Sequence, residues 1–131
     1  MKSPEPARPR VLIVDDESAI LHATRAYLTV LGYSVDCARE REEAEALLAT
    51  TPYAVLITDM RLTGMHGREG LELLSFAREH SSATRAIVVT AYGSPELAEA
   101  SRALGADAYL EKPVALSDVA RTVAALLDEA P

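Results

Sequence analysis

Cysteine is nearly absent from the chain: Cys37 is the one thiol among 131 residues. No internal disulfide can therefore form, and a reducing compartment suits the protein. Cys37 lies in an apolar-rich strand pattern and reads as a small core residue, not a reactive thiol. Long apolar runs are also missing, which argues against a membrane protein. The first ten residues are polar and proline-rich without an apolar stretch, so they do not read as a secretion signal. Residues 1–9 are expected to form a flexible tail ahead of a single domain over 10–131, and the protein is expected in the cytoplasm. Positive charge is scarce: 13 Lys and Arg against 20 Asp and Glu leave a net charge of −7. That balance argues against nucleic-acid binding through this chain. The three histidines, His22, His66 and His80, have no metal-ligand spacing and read as solvated. There is no internal repeat and no low-complexity segment.

What is present is enough apolar matter, 49% of the residues, to bury a core without disulfides or a structural metal. It falls in five short runs, at residues 11–14, 34–38, 54–58, 86–90 and 108–110. Branched residues fill the first, third and fourth, which suits parallel strands covered on both faces. The intervening segments have helical spacing. Ile20, Thr24, Tyr27, Leu28 and Leu31 form one stripe, and Gly32 ends that helix. Ala44, Leu47 and Leu48 form a second stripe; Leu71, Leu74 and Arg78 lie along a third helix that runs to about His80. Ser94-Pro95-Glu96 opens the fourth with a capping hydroxyl, a first-turn proline and an early acid, and Leu104-Gly105 closes it. Leu116, Val119, Val123 and Leu126 mark the fifth. Strict alternation of strand and helix implies an α/β fold, a doubly wound five-stranded parallel sheet with right-handed crossovers. Eight units would be needed to close a barrel.

Ligands of open α/β sheets bind beyond the carboxyl ends of the strands. Asp15-Asp16-Glu17 follow the first strand, Thr58-Asp59 end the third, Thr90 ends the fourth, and Glu111-Lys112-Pro113 follow the fifth. Arg39 and Glu40 follow the second with no clear role. Carboxylates gathered at one edge repel one another and call for a cation, and Mg²⁺ (or Mn²⁺) takes such hard oxygen ligands. A carboxylate can also act as a nucleophile and form an aspartyl-phosphate, with metal and lysine charge stabilising the phosphoryl oxygens. On this chemistry Asp15 and Asp16 hold the metal together with Asp59, Asp59 attacks, and Lys112 and Thr90 hold the phosphoryl group.

These strings resemble the receiver domains of two-component response regulators. The matching segments are Val11-Leu12-Ile13-Val14-Asp15-Asp16-Glu17, Leu56-Ile57-Thr58-Asp59-Met60-Arg61-Leu62, Val88-Val89-Thr90-Ala91-Tyr92-Gly93 and Gly105-Ala106-Asp107-Ala108-Tyr109-Leu110-Glu111-Lys112-Pro113. The resemblance spans residues 10–129. It implies a flavodoxin-like sandwich with sheet order 2-1-3-4-5, which sets the first and third strands side by side. It implies the backbone carbonyl of Arg61 as a further metal ligand, a cis bond before Pro113, and Tyr109 as a switch aromatic coupled to Thr90. It also implies a signalling phosphoacceptor, not an enzyme. The phosphoryl donor would be a sensor histidine kinase or phosphotransfer protein. The output would be an effector or a self-dimer engaged through the fourth helix, fifth strand and fifth helix.

The chain departs from the family pattern in three places. Thr63 stands where proline is usual, residues 64–70 make a loop about three residues longer than usual, and Val114 follows Pro113 where phenylalanine is frequent. Arg61 and Tyr92 are expected to border the path of attacking water. Neither offers a carboxylate or amide to orient that water, so slow self-dephosphorylation is expected. Three other readings fit less well. An aspartate-nucleophile phosphatase would want an acid where Arg61 stands. A nucleotide or flavin binder would want a glycine-rich turn after the first strand. A degenerate receiver acting only as an interaction module would lack the acid, threonine and lysine set, which is complete here.

Overall fold

Each of the five apolar runs is a strand in the computed structural model of the chain, which describes residues 8–60, 69–91 and 93–128. The elements alternate: β1 (Arg10–Val14), α1 (Ser18–Val30), β2 (Ser34–Ala38), α2 (Arg41–Thr50), β3 (Val55–Thr58), α3 (Glu69–His80), β4 (Arg85–Thr90), α4 (Pro95–Ala103), β5 (Ala108–Glu111) and α5 (Leu116–Asp128). The strands form one parallel sheet in the order β2-β1-β3-β4-β5, as the resemblance implied. The β1–β2 ladder extends one residue further back, where Ser34 N–H donates to the Pro9 carbonyl at 2.9 Å.

Strand side chains alternate between faces, and here both faces are dry. Val11, Ile13, Val55, Ile57, Ile87 and Val89 pack with Leu21 and Leu28 of α1 and Val119, Val123 and Leu126 of α5. Leu12, Val14 and Leu56 point the other way, to Ala44 and Leu48 of α2 and Leu73 and Ala77 of α3. Met60, Leu74, Ala86, Val88 and Ala106 continue that layer, with Leu97 of α4 and Tyr109 of β5 packed against it. Two buried faces are why the central strands read as unbroken apolar runs.

The helices follow their signals, with one difference. The buried face of α1 is Leu21, Thr24 and Leu28, whereas Tyr27 and Leu31, expected on that stripe, are 37% and 54% exposed. Thr24 and Leu28 of the expected stripe are buried, and the sheet turns Leu21 inward in place of Tyr27 and Leu31. Ser94 caps α4, its side chain accepting from Leu97 N–H at 3.1 Å. Gly32 and Gly105, at the ends of α1 and α4, have φ of +104° and +100°, a region that glycine enters without a Cβ penalty. Cys37 is half-buried in β2 and packs against the core. Burial raises its thiol pKa, with Arg25 opposing, so the unreactive thiol is the favoured form. His22 and His80 are exposed, and the His80 ring stacks on Phe76 at 3.9 Å. No helix among the described residues is long and apolar enough to cross a membrane.

Candidate functional site

The sheet order brings the carboxyl ends of β1 and β3 together. Val14 pairs with Thr58, and Asp59 N–H donates to the Val14 carbonyl at 3.0 Å, so Asp15 and Asp59 leave adjacent strands at the same edge. Both are buried, at 4% and 6% exposure. Lys112, just past β5, reaches between them: its Nζ lies 2.9 Å from Asp15 Oδ2 and 2.8 Å from Asp59 Oδ2. Its backbone is anchored by Lys112 N–H donating to the Thr90 carbonyl at 2.9 Å. The Lys112–Pro113 bond is cis. Thr90 ends β4 and is fully buried.

Burial works against the charge on Lys112, but the bonds from Asp15 and Asp59 outweigh it and hold the ammonium above its ordinary pKa. Lys112 is therefore the cation of the site at every physiological pH. Asp16 and Glu17 are exposed beside Asp15. One carboxylate oxygen from each of Asp15, Asp16 and Glu17 lies within 4.8 Å of the other two. Asp15 also accepts from Glu17 N–H through Oδ1 at 2.9 Å, which fixes the turn that holds the acids together. Asp15, Asp16 and Asp59 against Lys112 leave a formal charge of −2. Hard oxygen donors with that surplus fit a divalent cation such as Mg²⁺. A cleft of about 590 Å³ opens from Asp15, Asp59 and Lys112 and is otherwise walled mainly by apolar side chains, among them Ile20, Val89, Val114 and Leu116.

The structure thus brings Asp15, Asp59 and Lys112 into contact and sets Asp16 at their rim. Tyr109 stands apart. It is half-buried against the Met60 layer, and its hydroxyl is buried with no hydrogen-bond partner among the described residues. Arg61, Thr63, His66 and Tyr92, and residues 64–68 of the expected 64–70 loop, lie outside the described residues, whereas Glu69 and Gly70, expected in that loop, form the first turn of α3.

Three residues that carry the geometry had no role in the sequence reading. Glu17 joins the acidic group. Gly70 lies against the backbone of the aspartate itself: a Cβ built there would come within 2.6 Å of the Asp59 carbonyl oxygen and 2.7 Å of Met60 Cα. The third, Arg39, donates from its guanidinium to the Asp16 carbonyl at 3.1 Å. The parallel β1–β2 register was the available signal for Arg39, because it sets the residues after the two strands side by side. Nothing local in the sequence marks Gly70, since its neighbour comes from the end of another element.

An open parallel sheet with a lysine-bridged pair of buried aspartates at its carboxyl edge is the arrangement the resemblance to receiver domains implied. The response regulator receiver domain profile matches residues 11–124, and the chain belongs to that family. It is 32% identical over 118 residues to the transcriptional regulatory protein PmrA of Pectobacterium parmentieri, covering 90% of this chain and 52% of that protein. It is 35% identical over 121 residues to the response regulator protein PilR of Pseudomonas aeruginosa, covering 92% of this chain and 26% of that protein. The chain therefore spans about half or less of the length of these relatives. Among solved structures, a CheY-like receiver domain protein from Methanospirillum hungatei JF-1 superposes with a TM-score of 0.88 at 35% identity, covering 95% of this chain and 97% of that one. The NtrC4 receiver domain, solved as a beryllofluoride-activated dimer, gives a TM-score of 0.83 at 31% identity over 93% and 98%. The chain is a response regulator receiver domain, a signalling module of two-component systems.

Proposed function

We propose that this receiver domain accepts a phosphoryl group on Asp59 from a histidine kinase or phosphotransfer protein and thereby switches a partner-binding surface. The observation that carries the reading is Lys112 Nζ bonded to both Asp15 and Asp59. An ammonium held at a nucleophilic carboxylate stands where phosphoryl oxygens arrive. In the transfer, an Asp59 carboxylate oxygen bonds to phosphorus as the donor's phosphorus–nitrogen bond breaks, and the donor imidazole departs. Lys112 then exchanges part of its carboxylate contact for a phosphoryl oxygen, and Thr90 donates its hydroxyl to another. Asp15, Asp16 and Asp59, with the Arg61 carbonyl, would hold Mg²⁺ or Mn²⁺, with Asp15 acting through water. When bound, that ion supplies positive charge to the phosphoryl oxygens. Arg61 and Tyr92 would border the approach of water and slow the loss of phosphate.

The readout is proposed to run through Thr90 and Tyr109 to the face formed by α4, β5 and α5, where an effector or a second copy docks. Two states of unequal affinity for phosphate are what such a switch requires. The beryllofluoride-activated dimer of the NtrC4 receiver domain supports this output by analogy. The protein is placed in the cytoplasm, where the kinases of such systems present their phosphohistidine. The experiment is incubation with a small phosphodonor and Mg²⁺, comparing wild type with Asp59→Asn and with excess chelator. Acid-labile phosphorylation is expected only for wild type with Mg²⁺. Equal labelling of Asp59→Asn would refute the assignment, and no labelling of wild type would leave an interaction module.

A further inference from the structure

We propose that Arg39 is a positioning residue for the cation-holding acids: its guanidinium clamps the β1–α1 turn so that Asp16 faces the site. This rests on the proposed divalent cation at Asp15, Asp16 and Asp59.

Arg39 is the first residue after β2. Val14 pairs with Ala38, and Asp15 N–H donates to the Ala38 carbonyl at 3.1 Å. The chain leaving β2 therefore runs beside the acidic turn leaving β1. Arg39 is held there at two points. Its backbone N–H donates to Glu43 Oε1 at 2.8 Å. Glu43 lies in the first turn of α2 and reaches back toward the residues that precede the helix, much as the acid of a capping box does. Its guanidinium donates to the Asp16 carbonyl at 3.1 Å, 23 residues away in sequence. One arginine thus links the α2 corner to the turn that carries Asp15, Asp16 and Glu17.

The choice of acceptor is what gives the link a function. A guanidinium beside three carboxylates would ordinarily pair with one of them in bidentate fashion. Here no ion pair joins Arg39 to Asp15, Asp16 or Glu17 among the described residues. Arg39 spends its donor on a backbone oxygen and leaves the carboxylates to a cation. The backbone of Asp16 is fixed without its charge being cancelled.

Charge and clamping predict opposite signs. A nearby positive charge repels Mg²⁺, so removing a bystander arginine would tighten Mg²⁺ binding, and salt would erase the gain. Removing a clamp weakens binding, by about 2- to 10-fold for the loss of one hydrogen bond, and salt does not restore it. The test is Mg²⁺ titration of the full chain, followed by the amide shifts of Asp16 and Glu17, in 0.1 M and 1 M KCl. The forms compared are wild type, Arg39→Met, which keeps the apolar stem, and Arg39→Lys, which keeps a charged donor. Weaker binding is expected for Arg39→Met in 1 M KCl, with Arg39→Lys closer to wild type. Binding by Arg39→Met as tight as wild type or tighter in 1 M KCl would overturn the proposal while leaving the cation site standing. Absence of any Mg²⁺-dependent shift in wild type would overturn both.

Discussion

Lys112 lies between two buried carboxylates, and its loss would leave Asp15 and Asp59 facing each other without that ammonium. Removing one partner of a buried ionic cluster costs about 3–5 kcal/mol, because the buried charges left behind lose their main counter-charge. Lys112→Met is therefore expected to lower stability by about 3 kcal/mol at neutral pH, toward the lower end of that range. On the proposed cation site, Mg²⁺ should restore more stability to this variant than it adds to wild type. Urea unfolding with and without Mg²⁺ measures both effects, and a variant as stable as wild type in chelator would show that Lys112 does not balance the site. Just past β4, Gly93 limits Tyr109. A Cβ on Gly93 would overlap the Tyr109 hydroxyl and approach Glu111 Oε1 to 2.9 Å. The Tyr109 hydroxyl has no hydrogen bond to lose among the described residues, and it is the far end of a rotatable side chain, so it gives way before the backbone does. Gly93→Ala is expected to turn the Tyr109 ring outward, at about 1 kcal/mol of lost packing against the Met60 layer. Ring-proton shifts of selectively labelled tyrosine report the movement; an unchanged Tyr109 signal would mean the loop adjusts instead.

Elements, in contrast to single contacts, were largely legible from local pattern. Strand β4 declared itself by Ile87-Val88-Val89, and α4 by Ser94-Pro95-Glu96, because the forces that make them act within a few residues. The cap is expected to be worth about 1 kcal/mol, the usual cost of replacing a serine N-cap with alanine. Ser94→Ala should lower the urea midpoint accordingly; no change would mean that α4 is held by its packing alone. The α1 face was read correctly at Thr24 and Leu28 but not at Tyr27 and Leu31, which are apolar enough to mimic core positions, while the sheet turns Leu21 inward instead. The candidate site was legible as residue types at strand ends, and the resemblance supplied the strand order that joins Asp15 to Asp59. The Arg39 clamp, the Gly70 approach to Asp59 and the Gly93 approach to Tyr109 were not legible. Each is a contact between the ends of different elements, fixed by register and not by any neighbouring residue.

At the scale of the whole molecule, loss of the protons held by Tyr53 and Lys112 is expected to lower stability at alkaline pH. Tyr53 precedes β3, near the edge opposite the acids, and is buried at 4% exposure. Its hydroxyl donates to Asp36 Oδ2 at 2.6 Å, and its carbonyl accepts from Thr84 Oγ1 at 2.8 Å. Burial first, and then the bond to the Asp36 carboxylate, push the Tyr53 pKa well above its ordinary 10.0. Lys112 at the other edge is also held above its ordinary 10.5 by its two carboxylates, against burial. In both cases the native state keeps a proton that the unfolded chain releases. Stability then falls with rising pH, since its slope follows protons bound unfolded minus protons bound native. Both contributions are complete below about pH 10, where the unfolded groups are still protonated, and they are lost as pH climbs toward the native values. Stability is thus expected to hold through neutrality and to decline first as pH passes the ordinary range of the Cys37 thiol, whose pKa burial also raises, and then more steeply from about pH 10 upward. Tyr53→Phe separates the two edges. At pH 7 it should cost about 1 kcal/mol for one hydrogen bond, with Asp36 still near Arg10 at 3.5 Å. Above about pH 10 the variant has no phenol to titrate, so its decline should be shallower and the two stability curves should converge. Urea unfolding free energies from pH 7 to pH 11 give both curves. Parallel declines would leave Cys37 and Lys112, not Tyr53, as the source of the alkaline loss.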